Sequence, residues 1–526
     1  MNTKTAAALA VGGGLALGLL YAKGGGSGNA PPATPAARLR VPGTGLASKL
    51  RVVDVVREDD HGVGGLSAFE LEDTGADMPL ADLLARKDVV LYCWARGKDV
   101  EGGGMVLLFV SVRDMGKLAQ HPFLDRGVRE HCGAEAFAVS IESAEAELPA
   151  AAARVNPQKV VFVWNTGRCG STLMHRLLSA AGAESLSEPF WLDQLSFPFM
   201  RPLLGADDAE RRANATRLFQ ACALLDFGLA VTRAPEGWGG SLSLNPKSMM
   251  ATIDDALATF PGAKHIFMYR DCAQVAESFG SIFHYHSPLA ARAAAVATAT
   301  WRRLTRQYTT LGDFGPFHAA RLNELATDPA LRSALACFPR DAGVARRVAG
   351  WLDTMHKWVE VREAFVARSG GDAAAASEYL ITVRMDEFVG KASSVKKGGD
   401  EWAMLINVLL RFAGLVTDAP TPPPLAPAVR AVFEKDSQAG NRMAASSHKR
   451  RVPTVLVQGD RSDIAAAITA VGRAYAGAFG SAPVTEAGSV LPGSLAAPSE
   501  PALVPTVAWG SLRRRVGRGF TLHRMG

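Results

Sequence analysis

Short apolar runs alternate with helical patterns in the middle of the chain. Residues 159–164 (KVVFVW) and 263–269 (AKHIFMY) are predominantly apolar, and each run is followed by residues with helical spacing, at 172–180 and 272–279. Such runs are typical of parallel strands that are buried on both faces of a sheet. They predict strand–turn–helix units and an α/β fold.

An earlier stretch has a strand-rich pattern of its own. Residues 88–95 and 105–112 are predicted strands on either side of a glycine-rich turn, followed by one helix over 114–131 and a strand over 136–141. No constellation of catalytic side chains accompanies them. The pattern predicts a small α/β domain over residues 45–150, for which interaction and substrate selection are both open roles.

The amino-terminal segment is the candidate for membrane attachment or targeting. Residues 6–22 carry no charge, although four glycines lower their helix propensity, and residues 24–44 have the composition of a flexible stem. We expect a signal-anchor or a secretory signal, with an organelle-targeting leader or a plain apolar tail as alternatives. The first expectation places the protein at a membrane or in a Golgi-like lumen of the secretory pathway.

Most of the net positive charge of the chain lies in its last fourteen residues. The chain has 526 residues and a formal net charge of +6, but five arginines lie within its last fourteen residues. The rest of the chain is almost neutral, so we expect no nucleic-acid partner. The six cysteines include no CxxC pair, which argues against a zinc ribbon.

The turn after the predicted strand 159–164 has the composition of a phosphate-binding loop. Residues 165–171 (NTGRCGS) join a strand to a helix start, where backbone N–H groups and the helix dipole favour an anion. Arg168 adds a forked cation, and Ser171 and Thr172 add hydroxyl donors. The loop lacks the lysine of a Walker A sequence, which disfavours a nucleoside triphosphatase. A tight connection without a ligand is the alternative.

A second cation stands at the end of the other apolar strand. Arg270 follows residues 263–269 directly, and the carboxyl ends of strands are where open α/β sheets bind ligands. Ser278 lies two turns along the following predicted helix. The two side chains are therefore candidates for gripping one phosphate group together.

These two elements, in this order, resemble those of the sulfotransferases that use 3′-phosphoadenosine-5′-phosphosulfate. Residues 166–173 (TGRCGSTL) resemble the 5′-phosphosulfate loop of that superfamily, and residues 267–271 (FMYRD) with Ser278 resemble its 3′-phosphate element. Residues 187–189 (SEP) and 245–248 (NPKS) are similar to its acidic step and its lysine-bearing strand end. The arginine-bearing loop is typical of divergent, membrane-associated or bacterial members.

The resemblance covers roughly residues 157–445 and implies an α/β fold, a P-loop-like three-layer sandwich with a central parallel sheet, preceded by the small α/β domain. The chain is then expected to contain four parts: an apolar leader or anchor with a stem (1–44), the small domain (45–150), the sulfotransferase-like domain (151–450) and a helix with a disordered basic tail (451–526).

The resemblance also implies a reaction, the transfer of a sulfuryl group to a hydroxyl or amine of a carbohydrate, protein or small-molecule acceptor. Glu188 is the expected general base, Lys247 the second cation and His175 a weaker catalytic candidate. Cys169 is expected to fit the loop rather than to act as a nucleophile. No metal is expected, because the motifs contain no magnesium ligands. The donor would be held by Gly167, Arg168, Cys169, Gly170, Ser171, Thr172, Arg270 and Ser278.

Two other functions stay open at this point. The chain has Asp271-Cys272 where the superfamily usually has a proline after the acidic or amide residue, and no histidine follows Lys247. Both departures favour a catalytically silent nucleotide-binding scaffold protein as the alternative. A nucleotide kinase or hydrolase on a similar scaffold is a third, disfavoured by the missing Walker lysine.

Overall fold

The computed structural model describes much of the chain between residues 38 and 434, in the ranges 38–55, 65–196, 201–234, 240–245, 252–270, 274–275, 278, 342–391, 396–416 and 424–434. The candidate anchor at residues 6–22, the stem before residue 38 and the basic tail lie outside the described residues. Within the described ranges, no helix combines the length and the apolar character that a membrane crossing requires.

The first part of the described chain forms an antiparallel sheet. Its strands are β1 (Leu46–Val55), β2 (Phe69–Pro79), β3 (Val89–Arg96), β4 (Met105–Val112) and β5 (Cys132–Ser140). They lie in the order β2-β1-β5-β4-β3. The strands predicted at 88–95, 105–112 and 136–141 are confirmed. The apolar pattern does not predict β1 and β2, because much of both strands is exposed.

Short helices connect or follow these strands, together with 3-10 turns at Gly65–Ala68, Gly97–Asp99, Glu101–Gly103 and Pro157–Lys159. The helices are α1 (Leu80–Leu84), α2 (Met115–Gln120), α3 (Leu124–His131), α4 (Ile141–Ala146) and α5 (Leu148–Arg154). The prediction of one helix over 114–131 is wrong, because the backbone is extended at His121, between α2 and α3. Pro122 has no N–H and disfavours a helical conformation of the residue before it.

A parallel sheet of five strands follows. Its strands are β6 (Val160–Asn165), β7 (Glu184–Ser187), β8 (Leu242–Asn245), β9 (Lys264–Tyr269) and β10 (Leu380–Arg384). They lie in the order β10-β9-β6-β8-β7, and every adjacent pair is parallel. The prediction of an α/β fold with parallel strands at 159–164 and 263–269 is confirmed.

Ten helices lie in this part of the described chain, and several of them cover the two faces of the parallel sheet. They are α6 (Ser171–Ala180), α7 (Phe190–Ser196), α8 (Arg201–Leu204), α9 (Asp208–Arg233), α10 (Ile253–Thr259), α11 (Ala342–Arg368), α12 (Ala373–Ser377), α13 (Met385–Phe388), α14 (Asp400–Phe412) and α15 (Pro427–Val432). Along β6, Val161 and Val163 join the core beside α6 and α14, while Phe162 and Trp164 join the core beside α9 and α11. Burial on both faces explains why this strand is apolar at every position.

The two sheets share one hydrophobic core, to which α9 contributes a long buried face. α9 lies against α5 and β3, and its Asp226 accepts a hydrogen bond of 2.9 Å from Trp191 Nε1 on α7. At the surface, Arg217 of α9 pairs with Glu142 of α4 at 3.1 Å. The antiparallel sheet is therefore held against the helices that cover one face of the parallel sheet.

A glutamine completes the edge of the antiparallel sheet at β3. Gln194 of α7 donates from Nε2 to the carbonyl oxygen of Trp94, and its Oε1 accepts from the Trp94 N–H, both at 2.9 Å. The side chain is 3% exposed. Without Gln194, both backbone groups of Trp94 would be buried without a partner, which is costly.

We predict that Gln194→Ala lowers the free energy of unfolding by about 3 kcal/mol, since it orphans two buried backbone groups. Urea unfolding of the full-length protein measures this. Gln120→Ala, at the exposed end of α2, is the matched control and should change stability by less than about 0.5 kcal/mol. Equal effects of the two substitutions would contradict this account of the β3 edge.

A histidine sits in the core of the parallel sheet. His265 of β9 is fully buried, its Nδ1 accepts a hydrogen bond of 2.9 Å from Trp164 Nε1, and its ring stacks on Phe162. Burial lowers the pKa of His265 to about 3. The folded protein therefore keeps this ring neutral at pH values where an unfolded chain would protonate it.

We predict that acidification lowers the free energy of unfolding of the wild type, and that His265→Asn makes this loss smaller. Between pH 6.5 and pH 4.5 the unfolded state binds a proton that folded His265 does not, so the wild type loses about 2–3 kcal/mol through this group. Asn retains an acceptor near the Nδ1 position and does not titrate. Buried Asp226, whose pKa burial raises to about 6, acts with the opposite sign but is common to both proteins.

Urea unfolding of both proteins at pH 7 and at pH 4.5 checks this prediction. The loss of stability on acidification should be smaller in His265→Asn by about 2–3 kcal/mol. The same loss in the two proteins would show that His265 does not contribute to the acid sensitivity.

Candidate functional site

The strand order places the carboxyl ends of β6 and β9 side by side. From β6 the chain adds β7 and β8 on one side of the sheet, and it then crosses to add β9 and β10 on the other. β6 and β9 pair directly from Val161–Lys264 to Asn165–Met268. Such a reversal opens a crevice at the carboxyl ends of the strands, where open α/β sheets bind ligands.

The turn from β6 into α6 has a left-handed backbone at three of its residues. The φ angles are 77° at Gly167, 53° at Arg168 and 86° at Gly170. Glycine adopts this region freely, but a side chain such as that of Arg168 makes it cost about 1–2 kcal/mol. Turns of this kind, followed by a helix N-terminus, form anion-binding concavities. The residues of the predicted loop therefore have a backbone suited to an anion.

Two asparagines fasten this turn to the sheet. Asn165 Oδ1 accepts from the Gly167 N–H at 2.9 Å, and its Nδ2 donates to Asn245 Oδ1 at 3.3 Å. Thr166 N–H donates to the carbonyl of Met268 on β9 at 3.1 Å. Neither asparagine was among the predicted site residues. Each asparagine is a polar residue at the end of a strand, but their link joins residues 80 positions apart, and no local pattern predicts it.

Arg168, Arg270 and Ser278 lie together beside the turn, and Ser278 forms a hydrogen bond with Arg168, whereas its predicted companion is Arg270. Arg168 Nε donates to Ser278 Oγ at 3.0 Å, and Arg270 Nη1 lies 3.5 Å from the carbonyl oxygen of Arg168. Arg270 Nε also donates to Gln274 Oε1 at 2.6 Å. Two guanidinium groups and a hydroxyl thus converge where the ends of β6 and β9 meet, a combination that favours a phosphate or sulfate group.

The first turn of α6 and the cysteine of the loop are buried. Ser171 and Thr172 begin the helix, and Cys169 is 0% exposed. Burial raises the pKa of the Cys169 thiol to about 11, so the thiol stays protonated at neutral pH. The predicted loop-fitting role of Cys169 suits this environment.

Glu188 follows the end of β7 in a strained conformation. Its φ angle is 50°, its N–H donates to the carbonyl of Asn245 at 3.0 Å, and its side chain is half-buried. Left-handed non-glycine residues cost about 1–3 kcal/mol and cluster at functional sites. Glu188 therefore lies at the same edge of the sheet as the turn, two strands away from β6.

The other two catalytic candidates differ in position. His175 is 2% exposed and hydrogen-bonds through Nδ1 to Ser185 Oγ of β7 at 2.7 Å, and burial lowers its pKa to about 4. The hydrogen bond of His175 therefore connects α6 to β7 and not to the turn 166–170. Lys247 lies outside the described residues, just past the end of β8.

The described residues contain no group of three His, Cys, Asp or Glu side chains that is arranged to hold a metal ion. No protein-family model matches the chain, and no curated protein sequence matches it. The chemistry of the site is inferred from its own residues: two arginines, a serine, a strained glutamate and a left-handed turn before a helix.

We predict that Cys169 resists alkylation in the folded protein, because it is buried and its thiol is protonated. Iodoacetamide at pH 8, followed by peptide mass spectrometry, should leave Cys169 unmodified in native protein and label it fully in urea. Buried Cys93 and Cys222 serve as internal references. Native labelling of Cys169 as fast as in urea would contradict a sealed loop.

Proposed function

We propose that the protein is a sulfotransferase that moves a sulfuryl group from 3′-phosphoadenosine-5′-phosphosulfate to a hydroxyl or amine acceptor. The observation that carries this proposal is the contact between Arg168 and Ser278 beside Arg270, at the adjoining ends of β6 and β9. A donor with a phosphosulfate and a second phosphate needs two neighbouring anion sites. The turn 167–172 would provide one of these sites, and Arg270 with Ser278 would provide the other.

The fold proposed with this function is a P-loop-like three-layer sandwich over residues 151–450. A parallel sheet with helices on both faces, and a left-handed turn between its central strand and a helix, support that assignment. The turn takes the place that a Walker A loop takes in nucleoside triphosphatases, but with Arg168 as the cation.

In the proposed complex, the 5′-phosphosulfate binds at the turn 167–172 and the 3′-phosphate binds to Arg270 and Ser278. The start of α6 contributes backbone N–H groups and the positive end of a ten-residue helix dipole. Arg168 lies between the two anion sites through its contact with Ser278. Arg270 is held by Gln274 and by Trp351, whose Nε1 donates to the Arg270 carbonyl at 2.8 Å.

The proposed reaction forms a bond from the acceptor oxygen or nitrogen to sulfur and breaks the bond from sulfur to the bridging phosphate oxygen. Negative charge grows on that bridging oxygen, where Arg168 and the helix start stabilise it. Glu188 takes the acceptor proton as general base. Lys247 is the proposed second cation at the transferring group. Adenosine 3′,5′-bisphosphate leaves, and no metal enters this scheme.

Nucleotide titration tests the donor site first. Adenosine 3′,5′-bisphosphate should bind the full-length protein by calorimetry, and AMP should bind more weakly because it lacks the 3′-phosphate. Arg168→Ala and Arg270→Ala should each weaken bisphosphate binding about 10- to 100-fold, the loss expected for a charged hydrogen bond. Exposed Arg51, on β1, supplies the control: Arg51→Ala should not change the affinity.

Transfer of labelled sulfate from the donor into glycan, protein and metabolite extracts tests the reaction itself. The wild type should label one acceptor class, while Glu188→Gln should bind the bisphosphate normally and transfer at least about 100-fold more slowly. Binding without transfer to any acceptor would identify the silent nucleotide-binding protein instead. Absence of bisphosphate binding would overturn the proposed function altogether.

A further inference from the structure

A cavity of about 470 Å³ lies between the two sheets and plays no part in the proposed reaction. One wall comes from the ends of β3 and β4 with α2 and α3, and the other comes from α6, β7 and the end of α9. The turn 166–170 does not line it. Its volume falls within the range of about 300–1,000 Å³ that is usual for small-molecule sites.

The cavity walls carry more apolar than polar surface. Leu118 and Leu124 line it from the antiparallel side, Leu186 from β7, and Val90 and Val112 from the strands. All five side chains are buried. An apolar body would gain roughly 25 cal/mol for each Å² of surface it buries there.

Arg233 supplies a positive charge to this cavity, which the carboxylates of Asp226 and Glu184 offset only in part. It is half-buried at the end of α9, and its Nη1 donates to the carbonyl of Val89 at 3.1 Å. Among the described residues, no carboxylate lies within ion-pair distance of its guanidinium. Burial lowers the pKa of Arg233, and Asp226 and Glu184 only partly oppose this. An anion in the cavity would provide the missing partner.

The other polar groups of the cavity point to the same sign of ligand. Lys87 and Arg113 are exposed lining residues that form no ion pair with the described part of the chain. The neighbouring carboxylate of Asp88 is already neutralised by Arg86 at 2.6 Å. Glu184 is the remaining lining carboxylate, against the three cations Lys87, Arg113 and Arg233. The lining is thus positive overall.

One lining side chain has hydrogen-bonding capacity to spare. The Nε2 atom of His175 is buried and makes no hydrogen bond of standard geometry within the described residues, although the backbone of Ala119 and His121 lies near the ring. A buried polar atom without a partner is costly and calls for a ligand or a water. His175 thus adds a polar group to the α6 side of the cavity.

We propose that this cavity binds a small amphipathic organic anion, with its apolar body against Leu118, Leu124 and Leu186 and its acidic group facing Arg233. The guanidinium would bind a carboxylate or sulfonate through charged hydrogen bonds, and Lys87 and Arg113 would attract the anion to the entrance. This site is separate from the nucleotide site and does not depend on the proposed sulfuryl transfer.

The test compares two fluorescent probes that differ by one anionic group. 8-Anilinonaphthalene-1-sulfonate should bind the full-length protein with one-to-one stoichiometry, and the neutral N-phenyl-1-naphthylamine should bind about tenfold more weakly or worse. Arg233→Met should lower the affinity for the sulfonate probe about tenfold, so that the two probes bind this variant with similar affinity. Equal binding of both probes to the wild type would overturn the proposal.

Two further variants locate the probe even if Arg233→Met fails to fold. Ala119→Trp, an exposed lining position on α2, should block binding, whereas Ala150→Trp on the exposed face of α5 should not. The double substitution Lys87→Glu with Arg113→Glu should lower the affinity for the sulfonate probe about fivefold. Lys98→Glu, at an exposed position, is the control and should not change it. Full binding in Ala119→Trp would contradict the site.

A competition experiment separates this inference from the proposed function. Saturating adenosine 3′,5′-bisphosphate should leave the sulfonate probe bound, because the two ligands occupy different places. Displacement of the probe by the bisphosphate would assign the probe to the nucleotide site and overturn the proposal. Loss of bisphosphate binding alone, with the probe still bound, would overturn only the sulfotransferase assignment.

Discussion

The site depends on the backbone between β6 and α6, which must leave a fully buried strand and enter a helix within five residues. Gly167 and Gly170 adopt left-handed conformations at little cost, and Arg168 adopts one against its preference. Asn165 bonds the turn to its own strand and to Asn245 of β8. The strain at Arg168 is compensated by this anchoring, which leaves the guanidinium at Ser278 and beside Arg270.

The antiparallel sheet is not merely a neighbouring domain, because its contacts complete the surroundings of the parallel sheet. Gln194 closes the β3 edge, Asp226 accepts from Trp191, and α9 packs on both sheets. The same junction creates the cavity at Arg233, beside α6 and β7. Two elements that position the turn and Glu188 therefore also form walls of a second, chemically different site.

The sequence predicts the parts of this arrangement whose cause is local. β6 and β9 are apolar because both faces are buried, and Arg168, Arg270 and Ser278 follow them at recognisable positions. β7 and β8 have only four residues each, too few for a pattern to appear. The asparagine link, the Gln194 bridge and the Arg233 cavity join residues far apart in sequence, so only the tertiary structure reveals them. Pro122, by contrast, is a local signal that should have divided the helix predicted over 114–131.

A crystal structure of the protein with adenosine 3′,5′-bisphosphate tests the central claim most directly. The 5′-phosphate is expected at the N-terminus of α6, within hydrogen-bond distance of the turn 167–172, and the 3′-phosphate is expected between Arg270 and Ser278. Arg168 should then contact phosphate oxygens as well as, or in place of, the Ser278 hydroxyl. A nucleotide bound elsewhere, or with neither phosphate at the adjoining ends of β6 and β9, would contradict it.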